Sequence, residues 1–516
     1  MTMKKRTINV LVLIFILCLS LIVTSCSATT TSKKEGETTK AGESNAVATE
    51  NKEPVTIVTL HSEGTVPAEN ASIILEVRER TGINWSPILV GPGELENKLN
   101  TMIASGNLPD IFSFDQTKGE LYVENGVLLE LDDLLEKYGQ EVLKNVKDYL
   151  GQGLNAGGVT WGIPAPAGYP SVLAIRTDWL KNLNLEMPTD LDSFYNVMKA
   201  FTYDDPDQDG KDDTIGLANC IKYYPSMYSN LFGAFGIPIG RPVIVDGKVT
   251  TSMKHPNYLK AIEYFRKLYN EGLMEPDFAT IPNMSCLEKL WNGTYGAIDF
   301  APTGTTNNWI GRYTEDPKPT FDFTIIKGED GVGGTIRTYS TGYKGIAKSC
   351  KHPEEAMKLL NYLSSVEGDE LLYLGVEGKH FKWVDKEEGK LEYLPPYDVS
   401  ATHRADGAFI FWPLFSRVDD NTEIRTLNSL TRKGLELCRQ NFLEDAFIFG
   451  VPQIAKELGS TLTDIEIEAL ANLIVTTGDV KAEYESYIQR WMAEGGEVWE
   501  QQATEIYKKE NPGKLD

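Results

Sequence analysis

The feature that most constrains this chain is a run of alternating periodicities between residues 55 and 114. VTIVTL (55–60) is short, apolar and β-branched; Ile73, Ile74 and Val77 then recur at helical spacing before Gly82 supplies a stop. INWSPILV (83–90) returns to the strand pattern, Leu95, Leu99, Met102 and Ile103 mark a second helical face that Gly106 ends, and LPDIFSF (108–114) is strand again. Strand, helix, strand, helix, strand at this spacing predicts a mostly parallel α/β sheet, because each crossover helix must cover the face of the sheet it bridges. In such sheets ligands sit at the carboxyl ends of the strands.

The pattern continues downstream. PTDLDSFYNVMKAF (188–201) predicts a helix that Thr189 can cap, with Phe194, Val197, Met198 and Phe201 on one face. GTYGAIDF (293–300) reads as strand and HPEEAMKLLNYLSS (352–365) as helix with Pro353 in its first turn, and the chain is largely helical from about Thr422. With 516 residues, 41% of them hydrophobic, large cores are available, in two domains or two lobes of one fold. A formal net charge of −24 argues against nucleic acid or an anionic lipid surface as a partner of the body.

The N-terminus has its own grammar. Lys4, Lys5 and Arg6 precede the apolar run INVLVLIFILCLSLIV, which stops at VTSC, ending in Cys26. A basic start, an apolar core and small residues describe a secretory signal over residues 1–25. Because a cysteine follows, the junction resembles the bacterial lipobox, in which that cysteine, here Cys26, carries lipid and becomes the mature N-terminus; a plain transmembrane anchor is the alternative. Loss of the three basic residues of the signal takes the net charge from −24 to −27. Residues 26–53, polar after Cys26 with valine as their largest apolar side chain, form a disordered tether, since they cannot bury enough surface to offset ordering entropy. Cys220, Cys286, Cys350 and Cys438 are widely spaced, without a CxxC pair, and read as structural or free thiols.

YDDPDQDGKDDTIG (203–216) packs six aspartates into one loop. Asp205, Asp207 and Asp209 alternate, Gly210 permits a sharp turn, the carbonyl of Lys211 falls at position seven and Asp213 at position nine, the spacing by which a loop wraps oxygens round calcium. Position twelve, normally a bidentate glutamate, is Gly216, so a further ligand must come from Thr214, another segment or water; a solvated acidic turn is the alternative. So many carboxylates make a saturated cage, which predicts a structural rather than a catalytic ion.

Catalytic signatures are weak. The histidines 61, 255, 352, 380 and 403 are scattered, and no HExxH, GxSxG, P-loop or post-strand GxGxxG is present. Paired carboxylates of the glycosidase type remain open among 74 acidic residues. Aromatics in polar or Gly/Pro-rich contexts are better placed to stack on sugar rings: Trp161, Tyr169, Trp309 and Trp412. Each could equally be a core residue, and Trp179, Trp291, Trp491 and Trp499, at helical spacing, more readily so.

Taken in order, the lipobox and tether, GNLPDIFSFD (106–115), the run WGIPAPAGYPSVLAIRTDWLKNLNLEMPTDLDSFYNVMKAF followed at once by DPDQDGKDDTIGL, LFGAFGIP (231–238) and GIAKSCKHPEEAMKLLNYL (345–363) resemble the extracellular solute-binding proteins of bacterial sugar-uptake ABC transporters. Within that family the likeness is to the large LplA-type lipoproteins of Gram-positive bacteria, related to alginate oligosaccharide-binding proteins. The resemblance implies an α/β, two-lobed periplasmic-binding-protein-like fold (type II, Venus-flytrap) with an interlobe cleft. The implied lobes are an N-lobe of residues 54–167 and 338–400 and a C-lobe of residues 168–337 and 401–516, with crossings near Ile163–Pro170 and Thr338–Lys344.

It further implies a non-enzymatic receptor on the outer face of the cell membrane, held there by lipid alone. That receptor closes over an oligosaccharide and presents it to an ABC permease. A structural calcium is implied on Asp205, Asp207, Asp209, the Lys211 carbonyl and Asp213, with the family's further acidic ligand falling on Thr214. A monomer is expected. Position and chemistry nominate Asp115, Tyr169, Asp299, Trp309 and Trp412 as ligand-binding residues, and Arg176, Arg337 or Arg404 as the source of a basic cleft should the sugar be anionic. A peptide or other solute receptor on the same architecture, and a secreted polysaccharide-degrading enzyme, are the competing readings.

Overall fold

A computed structural model describes residues 54–515, apart from 64–65, 92, 156, 166–167, 303–309, 340–341, 388 and 416–420. The signal, Cys26, the tether and Trp309 lie outside the described residues. In chain order the strands are β1 (Thr56–Ser62), β2 (Asn84–Val90), β3 (Ile111–Asp115), β4 (Ile163–Pro164), β5 (Val172–Arg176) and β6 (Ile215–Ala218). They continue with β7 (Val243–Val245), β8 (Lys248–Thr250), β9 (Tyr295–Phe300), β10 (Phe321–Thr324), β11 (Gly342–Ile346), β12 (Phe381–Asp385) and β13 (Lys390–Tyr393).

Two sheets organise these strands. The first has the order β2-β1-β3-β11-β4 and the second β10-β5-β9-β6, while β7–β8 and β12–β13 are isolated hairpins. In the first, β1 is parallel to β2 and β3, as the periodicity of residues 55–114 predicts, but β11 enters antiparallel to both β3 and β4. In the second only β6 and β9 are parallel. Both sheets are therefore mixed rather than mostly parallel. The strands that break the parallel order, β11 and β5, are the ones the chain reaches on crossing from one sheet to the other, so no crossover helix fixes their direction.

Each sheet carries its own core. Ile57, Trp85, Ile111 and Ile346 of the first pack with Ile73, Ile74 and Val77 of the helix Ser72–Thr81 and with Leu359, Leu360 and Leu363 of the helix Pro353–Leu363. The second core joins β5, whose five residues are all buried, to Phe194, Val197, Met198 and Phe201 of the helix Leu191–Tyr203 and to the long C-terminal helix Ala455–Val475. Gly82 and Gly106 end their helices at φ 67° and 70°, a left-handed conformation that L side chains resist. The cap before Leu191 is Asp190 and not Thr189: its carboxylate accepts from Ser193 N (2.8 Å) and Ser193 Oγ accepts from Asp190 N (3.1 Å), a reciprocal box open only to the residue three before Ser193.

The second return to the C-lobe core falls later than residue 401. Ala408, Ile410, Phe411, Trp412 and Phe415 all pack in the first core, with Phe411 edge-on to Trp85 at 4.6 Å. The apolar run AFIFWPLF is the cover that the β2 side of that sheet needs, and it holds the chain there. Thr422 is still bound to this lobe, donating from its backbone N and Oγ1 to Asp369. The helix Ser429–Gln440 is the first to reach the second sheet, with Cys438 Sγ donating to the carbonyl of Ser171 (3.5 Å) and Gly434 lying against Phe323.

Candidate functional site

The ends of the first sheet open onto a cavity of about 520 Å³, a volume typical of small-molecule sites. Ser62 closes β1, Ser113 to Asp115 close β3, and Gly342 to Lys344 begin the antiparallel β11, so three neighbouring strands present their termini to one space. Phe114, Tyr122 and Tyr343 supply its aromatic wall, with Tyr343 near-parallel to Phe114 at 6.1 Å. Pro413 and Leu414 close another side.

The carboxylates in this cavity are engaged, whereas Lys344 is not paired with one among the described residues. Asp115 caps the helix Gln116–Glu124, accepting from Lys118 N at 2.8 Å, and Lys118 Nζ pairs with Glu96 at 2.5 Å. Behind the wall, His61 on β1 is hydrogen bonded through Nδ1 to Ser113 Oγ (2.9 Å), while its buried Nε2 has no partner among the described residues. Burial, and after it the charge of Lys344, pushes the imidazole down to about 3, so His61 is neutral. Lys344 stands opposite Ser113 in the β3–β11 register and is 4% exposed; burial pushes its ammonium down to about 8. Among the described residues no carboxylate pairs with it, and its Nζ lies 5.9 Å from the centroid of the Phe415 ring. His61, Ser113 and Lys344 thus form a polar row across β1, β3 and β11.

The segments joining the two sheets are tied to one another beside this cavity. Tyr169 donates to the Glu423 carboxylate (2.5 Å), and Thr338 Oγ1 donates to the carbonyl of Gly168 (2.5 Å). Burial, then the Glu423 charge, raises Tyr169 far above the ordinary phenol range, and burial raises Glu423. Tyr339 stacks on Phe447 at 3.9 Å and donates to Asp445 (2.9 Å).

Of the nominated ligand residues that are described, Asp115 alone lines the cavity wall. Tyr169 lies in a crossing segment, and Trp309 is outside the described residues. Asp299 is a correction: 1% exposed inside the second core, it accepts from Asn230 N (2.6 Å) and Ser229 Oγ (3.3 Å), bracing the start of the short helix Ser229–Gly233. Trp412 is a second: its ring is buried against Phe409 and Tyr373, and its Nε1 donates to Asp369 (3.0 Å), although its neighbours Pro413 and Leu414 reach the cavity. None of the nominated arginines lines the cavity. Arg176 is held by Asp178 and Glu315, Arg404 pairs with Glu63 (3.1 Å), and Arg337 lies over Phe442. The residues that sequence reasoning passed over are His61, Ser113 and Lys344; the available signal was a lone lysine inside the strand GYKGI.

The acidic loop lies on the second lobe. It leaves the helix Leu191–Tyr203 with Asp205 at φ 47°, Gln208 at 61° and Gly210 at 80°, and these left-handed residues curl the chain so that oxygens of Asp205, Asp207 and Asp209 lie within 4.8 Å of one another. Gly210 N donates to Asp205 Oδ2 (3.2 Å), while Asp205 Oδ1 is buried without a partner among the described residues. Burial and the neighbouring carboxylates raise Asp207, whereas the bond from Lys211 lowers Asp209. An orphaned buried carboxylate oxygen facing two more carboxylates is a donor set that fits a hard cation. Asp213 is exposed and outside this group, and Thr214 is no free ligand: buried, it donates its hydroxyl to the carbonyl of Phe201 (2.9 Å).

Comparison with known proteins places this geometry. The profile of the family described as bacterial extracellular solute-binding protein matches residues 69–370. The lipoprotein LipO of Bacillus subtilis is 26% identical over 86% of this chain and 90% of its own length. The polygalacturonan/rhamnogalacturonan-binding protein YtcQ of the same organism is 24% identical over 97% and 98%. Among solved structures, the Streptococcus pneumoniae ABC-transporter substrate-binding protein FusA in complex with kestose superposes with a TM-score of 0.63 at 18% identity, covering 88% of this chain and 99% of that one. An EF-hand mutant of FusA with fructo-nystose gives 0.60 at 18% identity over 88% and 99%.

Proposed function

Because this chain belongs to the family of bacterial extracellular solute-binding proteins, we propose that it is a lipid-anchored receptor that binds an oligosaccharide at the strand-end cavity and delivers it to an ABC permease. The observation that carries this reading is the cavity itself: an aromatic wall of Phe114, Tyr122 and Tyr343 beside Asp115, Ser113 and Lys344, next to the tied crossing segments. Aromatic faces take up the apolar faces of sugar rings, and the polar side chains take up their hydroxyls. Relatives named as binders of polygalacturonan and of kestose support the ligand class. The Tyr169–Glu423 and Thr338–Gly168 bonds hold the crossings as a common hinge, about which ligand contacts favour the closed arrangement. Asp115 stays a ligand residue in this reading.

Calorimetric titration against a panel of neutral and acidic oligosaccharides, with products followed by chromatography, tests the proposal. Binding without turnover is expected. Cleavage would favour a hydrolase built on the Ser113–His61 pair, and no binding to any sugar would leave a receptor for another solute.

Three further parts belong to the reading. Cys26 carries the lipid on the outer face of a Gram-positive membrane, so palmitate labelling and membrane retention are expected to be lost in C26S. The receptor works as a monomer, which light scattering checks. Asp205, Asp207 and Asp209 hold a structural calcium, with the Lys211 carbonyl and Asp213 completing the shell, and the ion braces the loop after Tyr203. Calcium at a hundred times its Kd then stabilises the protein by about 2.7 kcal/mol over the chelated form. D205N removes that increment, and a melting temperature indifferent to chelator would refute the ion.

A further inference from the structure

Lys344 carries a consequence for the ligand. Lys344 lines the cavity together with Ser113, its partner in the β3–β11 register, and is 4% exposed with no carboxylate partner among the described residues. The carboxylates that line the wall are already engaged: Glu96 by Lys118, and Asp115 by the helix it caps. A buried ammonium without a counter-ion destabilises the fold that holds it, because dehydration of the charge is uncompensated. Apolar residues of similar volume would pack the same place more favourably, so the charge serves something other than stability. Arg176, equally buried, shows the contrasting arrangement, with two carboxylates closing on it.

From this we infer that the cavity receives a glycan bearing an anionic oxygen group, a uronate carboxylate or a sulfate ester, and that Lys344 is its counter-ion. The inference rests on the oligosaccharide-receptor reading and narrows it from sugars in general to acidic ones. The anion completes the pairing that the protein leaves open, with Ser113, across the strand pair from Lys344, as the neighbouring hydroxyl. The strong acidity of the whole chain does not oppose this, since the local field in a low-dielectric cavity is set by the nearest charge.

The test uses the full chain and its K344M and K344R variants. The probes are a uronate oligosaccharide, the same oligosaccharide with its carboxyls methyl-esterified, and a sulfated one, all read by titration calorimetry beside thermal melting. Expected are roughly 10- to 100-fold tighter binding of the anionic form than of the ester by the natural protein, loss of that preference in K344M and its partial retention in K344R. K344M is also expected to melt at the same or a higher temperature, a result that a structural role for the lysine would not give. Preference for the uronate or for the sulfate ester identifies the anion. Equal affinity for acid and ester overturns the inference while leaving the receptor reading intact, and so does a K344M protein that melts lower or keeps the natural preference. Failure of every sugar to bind overturns both.

Discussion

The buried charged side chains on the strands of the two sheets are treated in opposite ways. In the second, Arg176 is 2% exposed and held bidentately by Asp178 and Glu315, and Asp299, 1% exposed, is gripped by Asn230 and Ser229. In the first, Lys344 at the cavity wall is 4% exposed and has no carboxylate partner among the described residues. Equal burial therefore means different things: a satisfied polar group holds architecture together, whereas an unsatisfied one at a cavity wall is a standing demand for a ligand. Burial alone does not tell a ligand residue from a brace, as the nomination of Asp299 illustrates.

The largest effect that can break this contrast is a pH dependence. Burial pushes Asp299 up to about 7 from 3.8, against the opposing bonds from Asn230 and Ser229. A carboxyl that holds its proton more tightly when folded favours the native state at low pH, and that contribution is lost as pH rises from about 4 to 7. At roughly 1.4 kcal/mol per unit the loss is on the order of 4 kcal/mol. D299N keeps the shape without the charge, so its stability by urea unfolding should gain on that of the natural protein across this window and run parallel above it. Parallel curves throughout would mean that Asp299 ionises freely and is no brace.

Next in size is R176M. It removes the charge that two carboxylates face, but Asp178 and Glu315 are 31% and 25% exposed and can rehydrate, which puts the cost at about 3 kcal/mol, the low end for a broken buried pair. The opposite sign is expected of K344M, and the pair of variants sharpens the comparison: a buried cation with partners destabilises on removal, one without them does not. Similar losses in both would erase the distinction.

Legibility in the sequence follows how local the deciding interaction is. The elements of residues 55–114, the helix Leu191–Tyr203 and the curl of Asp205 to Gly210 rest on periodicity, capping and turn chemistry, all within a few residues, and they read directly. Thr189 and Asp190 are both good caps, and only the partner three residues on selects between them. What could not be read depends on distant partners. AFIFWPLF has no period that says which sheet it covers until Trp85 is beside it, and the bond that buries Asp299 comes from Asn230, far away in the chain. Lys344 becomes informative only when β1, β3 and β11 lie side by side, since a lone lysine in a strand is otherwise an ordinary edge residue.

Trp412 offers the smallest and most discriminating test. As an aromatic between Phe411 and Pro413 it reads as a platform for sugar, but its ring is buried and its Nε1 donates to Asp369, which also accepts from Thr422 and lies 3.3 Å from Arg425. W412F keeps most of the apolar contact and removes one of several donors to a buried carboxylate. The expected cost is about 1 kcal/mol of stability. Because Pro413 and Leu414, not the indole, face the cavity, affinity for the oligosaccharide should stay unchanged in the same preparation. A tenfold loss of affinity at unaltered stability would move Trp412 from the core to the ligand. It would also show that a satisfied, buried group can belong to this site after all, which is the outcome most damaging to the contrast between the two sheets.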